Sequence, residues 1–187
     1  MKKPTAFHRR KLLQSTVAMG LLAVPARGDD PPAAKADDVA GMDAVLATLY
    51  DVISGPKGRP RDWDRFRSLF VPSARLMVCL PSRDAPGKTA LRVFSVDEFV
   101  SQGKMASERT AFFEREVARK VDRFGHIAQV FSTYEARSEE GEKGELIARG
   151  INSFQLFWDD SRWYVVTVLW DTEAPDRPVP PEYRRRP

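Results

Sequence analysis

Cysteine is nearly missing from this chain: Cys79 stands alone among 187 residues. No intrachain disulfide can form, so the fold must hold by burial and hydrogen bonding. Histidine is almost as scarce, and because His8 falls in a segment read below as a leader, His126 has no second imidazole with which to share a metal. No metal-ligand set, nucleotide-binding loop or nucleophile–histidine pair is recognisable, and no cofactor is expected. The longest apolar stretch, Leu12–Val24, covers thirteen residues interrupted by Gln14, Ser15, Thr16 and Gly20, where a membrane-spanning helix needs roughly twenty. Acidic residues are absent from the first 28 positions, which hold Lys2, Lys3, Arg9, Arg10, Lys11 and Arg27. Taking those six from the 30 basic residues leaves 24 against 26 acidic ones, a net charge of −2 where the whole chain has +4. The basic character therefore belongs to the leader, and the remainder has no electrostatic footprint for a nucleic acid.

What is present at the N-terminus is a targeting pattern. A basic start, a short apolar run and the small residues Ala26 and Gly28 read as a signal peptide over residues 1–28, with cleavage after Gly28 or Ala26. Arg9-Arg10-Lys11-Leu12-Leu13 resembles the twin-arginine export signal, and an ordinary secretory leader remains the alternative. Either route predicts an exported protein, periplasmic or extracellular. No cysteine near the cleavage site supports a lipid anchor, so no membrane association is expected after cleavage. Residues 29–37 read as a disordered spacer, residues 38–173 as one domain, and residues 174–187 as an extended, solvated tail rich in proline and arginine.

Within the domain, Val39, Met42, Val45, Leu46, Leu49, Tyr50 and Ile53 recur at three- and four-residue steps, which predicts an amphipathic helix over residues 38–54 stopped by Gly55-Pro56. Asp62 is placed to cap a short second helix that ends at Pro72. Residues 75–80 and 91–94 read as extended, and Ser95 with Glu98 forms a capping box for a third helix ending near Gly103. From Ala111 onward the period changes to two. A strand pair turns at Phe124-Gly125, a second hairpin turns at Ser138–Gly144, and a third turns at Asp159–Arg162 between the apolar runs 151–158 and 163–170.

Pairing Glu135 with Arg149 across the second hairpin sets Ser132 opposite Asn152, Tyr134 opposite Gly150 and Val130 opposite Phe154. Strict alternation in the third hairpin then pairs Trp158 with Trp163, Leu156 with Val165, Phe154 with Thr167 and Asn152 with Leu169. That register puts Thr167, Leu169 and Asp171 on an inner face with Tyr134. It puts Phe131, Ile151, Tyr164, Val166, Val168 and Trp170 on an outer, apolar face. The direction of Arg119 turns on a one-residue choice in the first hairpin.

The sum is an α+β pattern, three N-terminal helices packed in a strongly curved antiparallel sheet. The segments Phe124-Gly125-His126-Ile127-Ala128-Gln129-Val130, Ser132-Thr133-Tyr134-Glu135 and Arg162-Trp163-Tyr164-Val165-Val166 resemble the nuclear transport factor 2-like superfamily in its SnoaL-like branch, across about Val39 to Glu173. The resemblance implies a cone-shaped half-barrel with a pocket between sheet and helices, often dimeric through the outer sheet face. Ketosteroid isomerases, dehydratases and polyketide cyclases share that fold, as do many proteins without an assigned reaction.

The polar end of the expected inner face is the candidate site. Asp171 and Tyr134, on either side of the side-chain-free Gly150, form a candidate base and hydrogen-bond donor, with Ser132, Asn152, Thr167, Leu169, Trp63 and Tyr50 as candidate pocket lining. The plainer reading has Tyr134 and Asp171 satisfying one another at the mouth of a core. Two functions stay open: an exported domain that binds a small apolar molecule or is non-catalytic, and a cofactor-independent lyase or isomerase using the Asp171–Tyr134 pair. The apolar outer face predicts a homodimer.

Overall fold

The computed structural model describes residues 31–184. The leader, with its paired arginines, lies outside them. Helix α1 (Ala36–Val39) begins inside the expected spacer, and α2 (Met42–Ile53) follows after a break at Ala40-Gly41 that divides the predicted first helix. The break lets Asp38 turn inward, where it accepts two hydrogen bonds from Arg65, both 2.8 Å, and one from Thr48. Those guanidinium bonds hold the Asp38 carboxyl below its ordinary pKa. Val45, Leu46, Leu49, Tyr50 and Val52 form the buried stripe of α2.

Asp62 caps α3 (Trp63–Arg67) through a bond from Arg65 N, as its position suggested. Strand β1 (Phe70–Pro81) starts sooner than expected and runs through Pro72, a residue tolerated because β1 leaves its ladder between Phe70 and Arg75. After β2 (Thr89–Phe94) comes α4 (Val96–Arg109), opened by the reciprocal Ser95–Glu98 capping box. Gly103 does not end this helix. It is the spot on which the Trp63 ring rests, since a methyl group there would come within 2.4 Å of the indole. Sequence reading took the glycine for a stop because close packing and chain reversal both call for the smallest residue.

Four long strands complete the sheet: β3 (Phe113–Phe124), β4 (Ile127–Arg137), β5 (Leu146–Trp158) and β6 (Trp163–Thr172), in the order β2-β1-β6-β5-β4-β3. The α+β class stands as expected, with one correction: β1 and β6 run parallel, while the other neighbours are antiparallel. The β4–β5 register is the predicted one, with Glu135 opposite Arg149, Tyr134 opposite Gly150 and Ser132 opposite Asn152. Glu135 accepts from Arg149 at 2.8 Å and from Arg137 at 3.0 Å.

The β5–β6 register departs from strict alternation. Leu156 pairs with Val165 but Gln155 pairs with Thr167, so Val166 is an extra residue that bulges from β6. Beyond it every side chain of β6 faces opposite to expectation: Phe154 pairs with Val168, Asn152 with Trp170 and Gly150 with Thr172. Val168 is accordingly buried, while Leu169 is 37% exposed. A second irregularity, at Val117 in β3, brings Arg119 opposite Ser132 and so turns it inward, with Glu114 and Glu116 on the same face.

The tail corrects another expectation. Instead of running free into solvent, residues 174–184 fold back over the outer face of β3 and β4. Val179 is buried, the Tyr183 ring packs on Phe131 with Lys120 above it, and Thr133 donates to the Tyr183 carbonyl at 2.5 Å. Arg184 closes the strap through Val179 O at 2.7 Å.

Candidate functional site

Between the concave sheet face and helices α2, α3 and α4 lies a cavity of about 500 Å³. Its walls are apolar, with Leu49 and Ile53 from α2, Phe66 from α3, Phe99 from α4, and Val168 and Trp170 from β6. Four adjacent strands each give it a polar group, Glu114 of β3, Tyr134 of β4, Asn152 of β5 and Thr172 of β6, and α4 with its cap adds Gln102, Ser107 and Thr110. Arg61 lines it where the loop after α2 meets α4, a junction fixed by Gly58 N bonding to Ser107 O at 2.8 Å.

One amide organises the polar groups. Asn152 Nδ2 donates to Tyr50 Oη at 3.0 Å and to Glu114 Oε1 at 3.1 Å. Behind it, Tyr50 Oη lies 2.7 Å from Ser132 Oγ, and Ser132 donates to Glu116. A serine has one hydroxyl hydrogen, so Tyr50 must donate to Ser132, which frees its own oxygen to accept from Asn152. Arg119 ends this chain by donating from Nε to Glu116 at 2.8 Å and from Nη1 to Asp43.

Burial pushes the Glu114 carboxyl up to about 7, with the Asn152 hydrogen bond pulling the other way. Burial likewise raises both phenols, Tyr134 to about 12 and Tyr50 further. Both tyrosines therefore act as neutral hydrogen-bonding groups at physiological pH. Burial brings the Glu114 carboxyl toward that range, the direction that suits a general acid or base.

The expected pair of Asp171 and Tyr134 is not assembled. The bulge at Val166 turns Asp171 to the outer face, where it pairs with Arg177 at 3.2 Å and accepts from Thr172 N at 2.9 Å. Tyr134 does face the cavity, and its hydroxyl crosses over Gly150 to Thr172 Oγ1 at 2.9 Å. Of the other expected residues, Asn152 and Trp63 line the cavity, and Ser132 and Tyr50 stand behind it in the hydrogen-bonded chain. Thr167 and Leu169 go with Asp171 to the outer face, for the same reason.

Glu114, Thr172 and Arg61 were missed. Glu114 sits in a strand of alternating charge whose inward face depends on a one-residue choice of register, which the sequence leaves open. The one available signal was Asn152, a buried amide that needs an acceptor.

No family model matches the chain, and no curated protein matches it. Solved structures do, at low identity. A function-unknown protein from Mycobacterium tuberculosis aligns with TM-score 0.52 and 11% identity over 74% of this chain and 75% of that one. A protein of unknown function with a cystatin-like fold, from Nostoc punctiforme, aligns with TM-score 0.51 and 10% identity over 69% and 86%. An NTF2-like protein of unknown function from Silicibacter pomeroyi aligns with TM-score 0.49 and 17% identity over 72% and 94%. At such identities the likeness is one of fold and carries no reaction with it. The six-stranded curved, unclosed sheet with helices against its concave face is therefore an architecture that the chain shares, as a fold alone, with the Mycobacterium tuberculosis and Nostoc punctiforme proteins.

Proposed function

We propose that this chain is an exported domain that binds a small, largely apolar molecule bearing a carbonyl or hydroxyl oxygen. The observation that supports it is the cavity of about 500 Å³, apolar along its walls and equipped with Glu114, Asn152 and Tyr134. That volume falls in the range of small-ligand sites, about 300–1,000 Å³, and few but convergent polar groups are their usual complement. Export rests on the leader, and pairing of two copies rests on the apolar residues the outer face keeps, Ile151, Phe157, Tyr164 and Leu169, since Val168 and Trp170 have turned to the cavity and Phe131 lies under Tyr183. A thermal-shift screen of the chain from Asp29 onward, against apolar ketones, alcohols and acids, tests the binding. A ligand that raises Tm in wild type and loses affinity in Trp63→Ala and Asn152→Leu is the expected result. A screen in which no compound shifts Tm removes the proposal.

A second reading has one observation in its favour. A carboxyl with a pKa of about 7 inside an apolar cavity is suited to remove a proton next to a carbonyl, as a cofactor-independent lyase or isomerase of the SnoaL-like kind would require. In this reading Glu114 takes the role first assigned to Asp171, and Tyr134 donates to the developing oxyanion. Exchange of ligand protons for solvent deuterium, followed by NMR, decides between the two. Exchange that stops in Glu114→Gln while binding persists selects the catalytic reading, and no exchange in wild type selects simple binding.

A further inference from the structure

We propose that the molecule held in the cavity is an amphipathic carboxylic acid, with its carboxylate seated against Arg61 and its hydrocarbon part on the apolar walls. This deepens the binding reading and rests on it. Arg61 lines the cavity, is only 8% exposed, and is held by backbone carbonyls. Its Nε donates to Ile53 O at 3.3 Å, Nη1 to Pro56 O at 3.2 Å and Arg59 O at 2.7 Å, and Nη2 to Gly55 O at 2.6 Å. Gly55 permits this approach, since a methyl group there would stand 2.7 Å from Nη1.

Carbonyls orient a guanidinium without neutralising it. Among the described residues no carboxylate forms an ion pair with Arg61, although Arg65, Arg67, Arg119, Arg137 and Arg149 each have at least one. A charged side chain this buried ordinarily keeps a counter-ion. Four of its five N–H groups are engaged, which leaves one hydrogen on Nη2 for an incoming acceptor. The carbonyls that end α2 offset part of the charge through the helix dipole, and a clamp on that helix end would need nothing more. A clamp, however, is indifferent to the charge of whatever fills the cavity. A counter-ion site is not.

Glu114 narrows the choice further. Its carboxyl also lines the cavity, and when ionised it repels a second carboxylate placed beside it. The acid head is therefore directed to Arg61, and a neutral oxygen on the ligand is left to Tyr134, since both amide hydrogens of Asn152 are already given to Tyr50 and Glu114.

Isothermal titration of the wild-type chain with an apolar carboxylic acid, its methyl ester and its primary alcohol tests the assignment. The acid should bind at least tenfold tighter than either neutral analogue, and Arg61→Gln should bring it down to their level while leaving their affinities in place. Arg61→Lys, which keeps the charge, should restore part of the preference. Equal binding of acid and ester, or an equal loss for both in Arg61→Gln, overturns the carboxylate assignment and leaves the cavity-binding proposal standing. If none of the three compounds, nor any apolar ketone, binds at all, the cavity-binding proposal itself fails. Should Arg61→Gln not fold, the wild-type acid-to-ester ratio decides alone.

Discussion

The Tyr134 hydroxyl lies directly over Gly150: a methyl group at position 150 would stand 2.7 Å from that oxygen and 2.1 Å from the carbonyl oxygen of Asp171. Three strands thereby contribute to one contact, because Tyr134, Gly150 and Thr172 are successive partners across β4, β5 and β6.

Gly150→Ala should for that reason break the bond between Tyr134 and Thr172 and force β6 away from β5. Overpacking against a backbone atom costs typically about 1–3 kcal/mol. Urea denaturation measures it, and Tyr134→Phe in the same background shows how much of the loss is the hydroxyl. An unchanged midpoint for Gly150→Ala would mean the tyrosine lies elsewhere.

Val168 and Leu169 test the bulge. Val168 is buried, so Val168→Asp sets an unpaired charge in the core, at a cost of several kcal/mol, and should abolish the folded state. Leu169→Asp, on the other face, should keep the near-ultraviolet circular dichroism of wild type. The strict alternation expected from sequence demands the reverse outcome, so the pair of variants separates the two registers.

How much was legible turns on such details. The β4–β5 pairing was readable because Glu135 and Arg149 label it with opposite charges. The α2 face was readable because its apolar residues keep a helical period over 12 residues. The bulge left no trace: Val165, Val166, Thr167 and Val168 are all β-branched, and nothing in their chemistry marks one of them as extra. That single residue decided the site, since it exchanged Asp171 for Thr172 at the cavity. The tail misled for a related reason, its proline and arginine content concealing two anchoring side chains, Val179 and Tyr183.

Glu114 should leave a signature in the pH dependence of stability. Its carboxyl, raised to about 7 in the fold, titrates near 4.3 in an unfolded chain. The folded state thus binds the proton more tightly, so the stabilisation is full below the ordinary carboxyl range and is lost as pH rises through about 7. Between pH 4 and pH 8 the wild type should lose roughly 3 kcal/mol relative to Glu114→Gln. A difference that stays constant over that range shows that Glu114 titrates normally.

Pairing of two copies through the outer face is tested by Leu169→Arg. A two-fold contact repeats each residue, so the substitution brings like charges together near the axis. The wild type should scatter light as a dimer at micromolar concentration and the variant as a monomer. A monomeric wild type ends the proposal.

The proposed export, and its route, can be tested in residues 1–28. Replacing Arg9 and Arg10 together by lysine should stop transport through a twin-arginine pathway and leave general secretion untouched, which fractionation of expressing cells reads directly. Unaltered export assigns the general route.

The strap formed by the tail works as a fence on the outer face. With Tyr183 seated on Phe131 and its carbonyl held by Thr133, the territory of β3 and β4 is already claimed. A second copy pairing through this face, as proposed, would meet residues 179–184 over β3 and β4 and would have to seat on the strands beyond them. Clipping the chain after Glu173 would take the fence down and lay Phe131 and Thr133 open, so the truncated protein should be the stickier of the two.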